Sequence, residues 1–156
     1  MEETLQDHFD ELVLCARLGE LDNVQEITRI LQTTHPEFTQ VAQILGAKNT
    51  QGNTALHMAA ANGHQDVLRY LLDNLTPAQI NQTNEQGNTA LHWAAVAGKV
   101  DSIRLLLEKE ADPLVKNSAG KTAITEAEQV GHDNVVSFLL DNVDDSKIKL
   151  NMDDDE

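Results

Sequence analysis

Six histidines, one cysteine, one tryptophan and 26 acidic residues are the side chains of this 156-residue chain that could do chemistry. His57 and His92 each stand three residues after a threonine. Neither has a metal-ligating partner at i+4 or a nearby cysteine, the spacing that holds zinc on one helix face. His64 and His132 each follow a glycine and are read as structural, while His8 and His35 stand in no pattern. Cys15 falls beside Ala16 at a small, packed position, so an inert core thiol is expected. No Gly-x-Ser-x-Gly, P-loop or Gly-x-Gly-x-x-Gly occurs to supply a nucleophile or a phosphate cradle. The carboxylate pairs Glu126/Glu128 and Asp144/Asp145 lie on polar segments with no apolar cavity to shift their pKa values. Trp93 recurs at the position of Met58, which reads as core or seam. The expectation is a chain with no catalytic, cofactor-binding or metal-binding residues.

The elements that carry these residues come from a repeated stretch. Thr54-Ala-Leu-His-Met-Ala-Ala-Ala-Asn-Gly63 returns as Thr89-Ala-Leu-His-Trp-Ala-Ala-Val-Ala-Gly98, and again, altered, as Thr122-Ala-Ile-Thr-Glu-Ala-Glu-Gln-Val-Gly131. Gly52 and Gly87 are 35 residues apart, and Gly87 and Gly120 are 33 apart. Each glycine of that set suits a turn that needs φ > 0, and each threonine two residues later suits a helix N-cap. Leu56, Ala59 and Ala60, like Leu91, Ala94 and Ala95, give a helix face small enough for close approach of the next helix. Gly63, Gly98 and Gly131 end that short helix. A second helix follows with paired apolar residues, as in Val67, Leu68, Leu71 and Leu72. One such unit cannot bury its own apolar face, but a stack can.

Taken in order, residues 5–31 read as a first repeat without a hairpin: aligning Gly19 with Gly63 places Leu12 at Leu56, Cys15 at Ala59 and Ala16 at Ala60. Residues 32–48 are an insertion in which Pro36 interrupts the preceding helix, read as an elongated loop in which Phe38, Val41, Ile44 and Leu45 suggest a short amphipathic turn of helix. A partner-specific contact surface is the other reading of that insertion. Repeats follow at 49–83, 84–116 and 117–140, the first of them lengthened around Pro77. The last has Ile124, Thr125, Glu126 and Glu128 where earlier units have Leu, His, Met or Trp, and Ala, as a C-terminal cap requires. Residues 141–156 hold seven acids against two lysines and are expected to be a disordered tail.

A period near 33 with Gly-x-Thr-x-Leu-His-x-Ala-Ala-x-x-Gly-His resembles the ankyrin repeat. The resemblance implies an all-α ankyrin-repeat solenoid of about four stacked helix-turn-helix repeats joined by hairpin-like loops, spanning residues 1–140. It also implies that His57 and His92 bond the threonine hydroxyl and neighbouring backbone. In Glu110-Ala-Asp-Pro113 the family's usual glycine is Glu110, so that turn is expected to be less relaxed. The family's partner surface is the groove formed by hairpin tips and first helices. Carried onto this sequence, it points to Asn53 and Asn62, to Glu85, Gln86, Asn88 and Val96, and to Lys121 and Gln129. The incomplete first repeat, Ala16-Arg17-x-Gly-x-Leu-Asp22, and the acidic tail make the chain similar to small fungal ankyrin-repeat chaperones of a newly made ribosomal protein, small-subunit protein three. That likeness implies stoichiometric binding in ribosome biogenesis, in cytoplasm and nucleus. The alternative is an ankyrin adaptor or inhibitor that docks on a regulatory enzyme or transcription factor.

The charge has two readings, solubility and capping of a repeat array or steering of a basic client. The formal net charge is −15. Residues 1–26 contribute −7, eight acids less Arg17, and residues 141–156 contribute −5. Direct nucleic-acid binding needs clustered Lys and Arg and is not expected. The acidic N-terminus and the lack of an apolar run of ~18 residues argue against a signal peptide, a span or membrane binding. One cysteine allows no intramolecular disulfide, and a monomer is expected.

Overall fold

Threonine and glycine punctuate the chain as the spacing predicts. The computed structural model describes residues 2–143. Helix α4 (Ala55–Asn62) starts at Thr54, whose hydroxyl accepts from the His57 amide, and stops at Gly63 with φ 70°. Helix α7 (Ala90–Ala97) repeats the arrangement between Thr89 and Gly98, and α9 (Ala123–Val130) between Thr122 and Gly131. Helix α1 (Leu5–Leu18) is the longer counterpart in the first repeat, capped by Thr4 and ended by Gly19. These four lie side by side and form the inner row of the array. The outer row is α2 (Leu21–Thr34), α5 (Gln65–Asn74), α8 (Val100–Glu108) and α10 (Asp133–Asn142).

The core runs between the rows. Leu12, Leu31, Leu56, Leu68, Leu71, Leu91, Ile103, Leu106 and Leu139 are completely or almost completely buried, and Ala16, Ala59, Ala60, Ala94, Ala95 and Ala127 let the inner helices touch. Burying each large aliphatic side chain contributes roughly 1.5–3 kcal/mol, so the stack is held by side chains that no single repeat could cover alone.

Each finger between repeats is closed by an asparagine that the sequence reading left without a role. Asn49 Oδ1 accepts from the amides of Gln51 and Asn53, Asn84 Oδ1 from Gln86 and Asn88, and Asn117 Oδ1 from Ala119 and Lys121. The turn is an Asx-turn that needs only a short side-chain acceptor. Repeat one has no finger, and Asp10 on α1 supplies the missing contact. Its carboxylate accepts from the Thr50 amide at 2.7 Å and the Thr50 hydroxyl at 2.5 Å.

The two insertions fold. Residues 41–45 form α3 (Val41–Leu45), with Ile44 and Leu45 fully buried, so the short amphipathic turn of helix suggested within the inserted loop is present and packed. Phe38 rests against Phe9 with centroids 6.1 Å apart. The lengthening at Pro77 is itself a helical turn, α6 (Pro77–Ile80), capped by Thr76 with Gln79 in the reciprocal position. Gln79 Nε2 donates to the Ala42 carbonyl at 2.7 Å and joins the two insertions. The acidic segment expected over 141–156 lies, from residue 144, outside the described residues.

Candidate partner-binding groove

The inner helices repeat in register, so equivalent residues form rows along the inner side of the array. Counting from Leu12, Leu56, Leu91 and Ile124, the residues two positions on are Leu14, Met58, Trp93 and Glu126. Five positions on lie Arg17, Ala61, Val96 and Gln129, and six on lie Leu18, Asn62, Ala97 and Val130. Six large apolar residues of the described chain are well exposed, and four of them, Leu14, Leu18, Val96 and Val130, stand in these rows. The exposed large apolar residues are thus found mainly along the inner row.

Two depressions interrupt the rows. One, of about 330 Å³, is lined by Ala61, Asn88, Trp93, Val96, Ala97 and Glu126. The other, of about 250 Å³, is lined by Asp10, Val13, Leu14, Arg17, Asn49, Thr50, Gln51 and Met58. Trp93 is half-buried and meets the His57 ring edge-on at 5.3 Å. It is part seam, as expected, but its remaining surface forms the groove floor. Glu126, read above as a polar replacement at a packed position, sits at the next rung of the same ladder and faces the same depression.

Of the residues named from sequence, Asn88 and Val96 line the larger depression together. Asn88 Oδ1 also accepts from Asn117 Nδ2 at 2.9 Å, and Asn53 Oδ1 accepts from Asn84 Nδ2 at 3.2 Å. These two side chains therefore tie one finger to the next. Glu85 leans over Gly52, where an added methyl group would come within 3.1 Å of its Cγ. Gln86 is exposed, and its carbonyl accepts from the Ser118 amide at 2.9 Å. Asn62 donates back to the Met58 carbonyl of its own helix. Lys121 Nζ donates to Gln129 Oε1 at 2.6 Å, which places both at the far end of the array. Trp93, Glu126, Met58 and Leu14 were missed as groove residues. The repeat alignment already held that signal, since all four share one register position.

Histidine holds this surface in place. His57 is buried, with Nδ1 2.8 Å from the Thr54 hydroxyl and Nε2 2.7 Å from the Asn88 carbonyl. Burial pushes its pKa down to about 4, so the neutral ring donates from Nε2 and accepts at Nδ1. His92 does the same between Thr89 and the Lys121 carbonyl, and burial lowers its pKa too. The imidazole is thus a bracket from one repeat to the finger of the next, which explains Thr125: no further finger follows repeat four among the described residues. A second set of ties lies behind. His64 Nε2 bonds the Arg17 carbonyl and His132 Nε2 the Val96 carbonyl, each ring lying over the glycine that ends the preceding inner helix. Among the described residues no three His, Cys, Asp or Glu side chains group as a metal site would, and no helix is long and apolar enough to cross a membrane.

A family model for ankyrin repeats in three copies matches residues 12–117 and 75–154. The chain belongs to the ankyrin-repeat family. Among ankyrin-repeat proteins it is 40% identical over 150 residues to the ankyrin repeat-containing protein YAR1 of Saccharomyces cerevisiae, covering 89% of this chain and 71% of that one. An ankyrin repeat-containing protein of Schizosaccharomyces pombe is 38% identical over 132 residues, with 85% and 84% covered. A crystal structure of the yeast ribosomal protein Rps3 in complex with its chaperone Yar1 contains a chain that superposes with a TM-score of 0.76 at 38% identity, covering 90% of this chain and 96% of that one. The all-helical ankyrin solenoid expected from the repeats is the observed fold.

Proposed function

We propose that this protein is a chaperone of Rps3: it binds the newly made, basic ribosomal protein one-to-one on its inner face and keeps it soluble until it joins the small subunit. The observation that carries the reading is the likeness, along nearly the whole chain, to the chaperone solved with Rps3. The physics supports it. A net charge of −15 attracts a basic client and competes with its nonspecific adsorption to nucleic acid. The exposed apolar rows give that client a surface on which to bury its own. Function of this kind needs no turnover, and binding in both cytoplasm and nucleus fits a client made in one compartment and assembled in the other.

Affinity purification of the tagged full chain at low salt, with the eluate identified by mass spectrometry, tests the reading. Enrichment of Rps3 at near-equal molar ratio, weakened by added salt, is the expected result. A broad mixture of ribosomal proteins would reduce the interaction to unspecific charge attraction. One neutral or acidic partner that resists high salt would replace the chaperone with an adaptor.

A further inference from the structure

The ladder Leu14, Met58, Trp93, Glu126 is apolar for three rungs and anionic at the fourth. Trp93 and Glu126 line the same depression of about 330 Å³, with Ala61, Ala97 and Val96 beside them and Asn88 at the finger side. Glu126 Oε1 accepts from Asn117 Nδ2 at 2.7 Å, which fixes the carboxylate in place, yet Glu126 makes no ion pair among the described residues. The Trp93 indole N–H likewise has no acceptor among them, and its ring packs against the His57 ring with centroids 5.3 Å apart and planes 73° from parallel. A held aromatic face next to a held carboxylate, over a floor of small apolar residues, matches a flat cation. We infer that this depression is an arginine-binding subsite, in which a guanidinium of the bound partner stacks on Trp93 and is hydrogen-bonded by Glu126. The inference rests on the proposed chaperone function for the partner's identity and on this geometry for the chemistry.

Arginine is favoured over lysine because a planar fork can lie on the indole while pointing N–H groups at the carboxylate. The chain's only tryptophan is Trp93, so its fluorescence reports on this site alone. In one arm, purified Rps3 is titrated into wild type, Glu126→Gln, Trp93→Leu, the double variant, and Glu108→Gln as a control on the outer row. Glu126→Gln keeps an acceptor for Asn117 and is expected to weaken binding about tenfold, as loss of a charge-assisted hydrogen bond does. The double variant is expected to lose less than the product of the single losses, because the two side chains hold one group. In the second arm, tetra-arginine and tetra-lysine peptides are titrated against Trp93 emission. Tetra-arginine is expected to change the emission at a several-fold lower concentration, and Glu126→Gln to abolish that difference. If wild type fails to bind Rps3 while the arginine response stands, the chaperone reading falls and the subsite survives. If Glu126→Gln binds Rps3 as wild type does, or the two peptides act alike on Trp93, the subsite is overturned.

Discussion

His57 donates Nε2–H to the carbonyl oxygen of Asn88, 2.7 Å away and one repeat further along the chain. That bond joins the inner helix of one repeat to the finger of the next, and the finger residue it anchors also lines the groove. The bracket works only while the ring is neutral. Its pKa is pushed down to about 4 by burial, against ~6.5 in an unfolded chain, so the unfolded state takes up the proton first. Stability from His57 is full above about pH 6.5 and declines as pH falls toward 4, by an amount on the order of 3 kcal/mol. His92, lowered in the same direction, adds to the decline. Urea midpoints measured from pH 7 to pH 4 are expected to fall, and the His57→Gln variant, less stable at pH 7, to show a shallower fall.

Glu110, two residues past the end of α8, has φ 69° and is the only non-glycine residue with positive φ among those described. Its amide bonds the Leu107 carbonyl and that of Ala111 the Leu106 carbonyl, so the left-handed turn closes despite the side chain. Left-handed backbone costs a residue with a Cβ roughly 1–2 kcal/mol that glycine avoids. Glu110→Gly is expected to raise unfolding stability by about 0.5–1 kcal/mol after the added chain entropy of glycine is offset. Equilibrium urea unfolding reads the change directly.

Asp10 takes the place of a finger in repeat one. Hydrogen bonds from Thr50 hold its carboxyl below the usual carboxylate range. Asp10→Ala is expected to cost about 1 kcal/mol, the worth of charge-assisted bonds at a solvent-exposed rim. Hydrogen exchange would show the loss locally, as faster exchange at the Thr50 and Gln51 amides with repeats three and four unchanged.

Cys15 is buried, and burial pushes its thiol up to about 11. A thiol that is neither ionised nor reachable reacts only when the first repeat opens. Labelling by a disulfide reagent at pH 8 is expected to be slower than that of the urea-unfolded chain by at least about a hundredfold, and to accelerate in Asp10→Ala.

The repeated threonines, glycines and Leu-His pairs made the solenoid legible, because each has a local job that recurs in register. The insertions were only partly legible. Thr76-Pro77-x-Gln79 does carry a helix-start pattern in Thr76 and Gln79, but one turn of helix is too short for periodicity to reveal. Asn88 and Val96, named from sequence, line one depression of the inner row, and Trp93 and Glu126, not named there, line it with them. Helix α7, Ala-Leu-His-Trp-Ala-Ala-Val-Ala, is apolar nearly all round, so pattern alone cannot say which residues face outward. The roles of Asn53 and Asn88 in joining fingers were hidden for another reason: their partners, Asn84 and Asn117, lie 31 and 29 residues away.

The central claim is that the inner face keeps a basic ribosomal protein soluble by binding it one-to-one. Light scattering of purified Rps3 diluted to low salt, with increasing amounts of this protein, measures that most directly. The account predicts that aggregation is suppressed with a break at a molar ratio of about one. It also predicts that Val96→Asp, an added charge on the exposed apolar row, removes most of the protection while Glu108→Gln on the outer row leaves it intact. Protection that rises without a break, or that survives Val96→Asp unchanged, would contradict it.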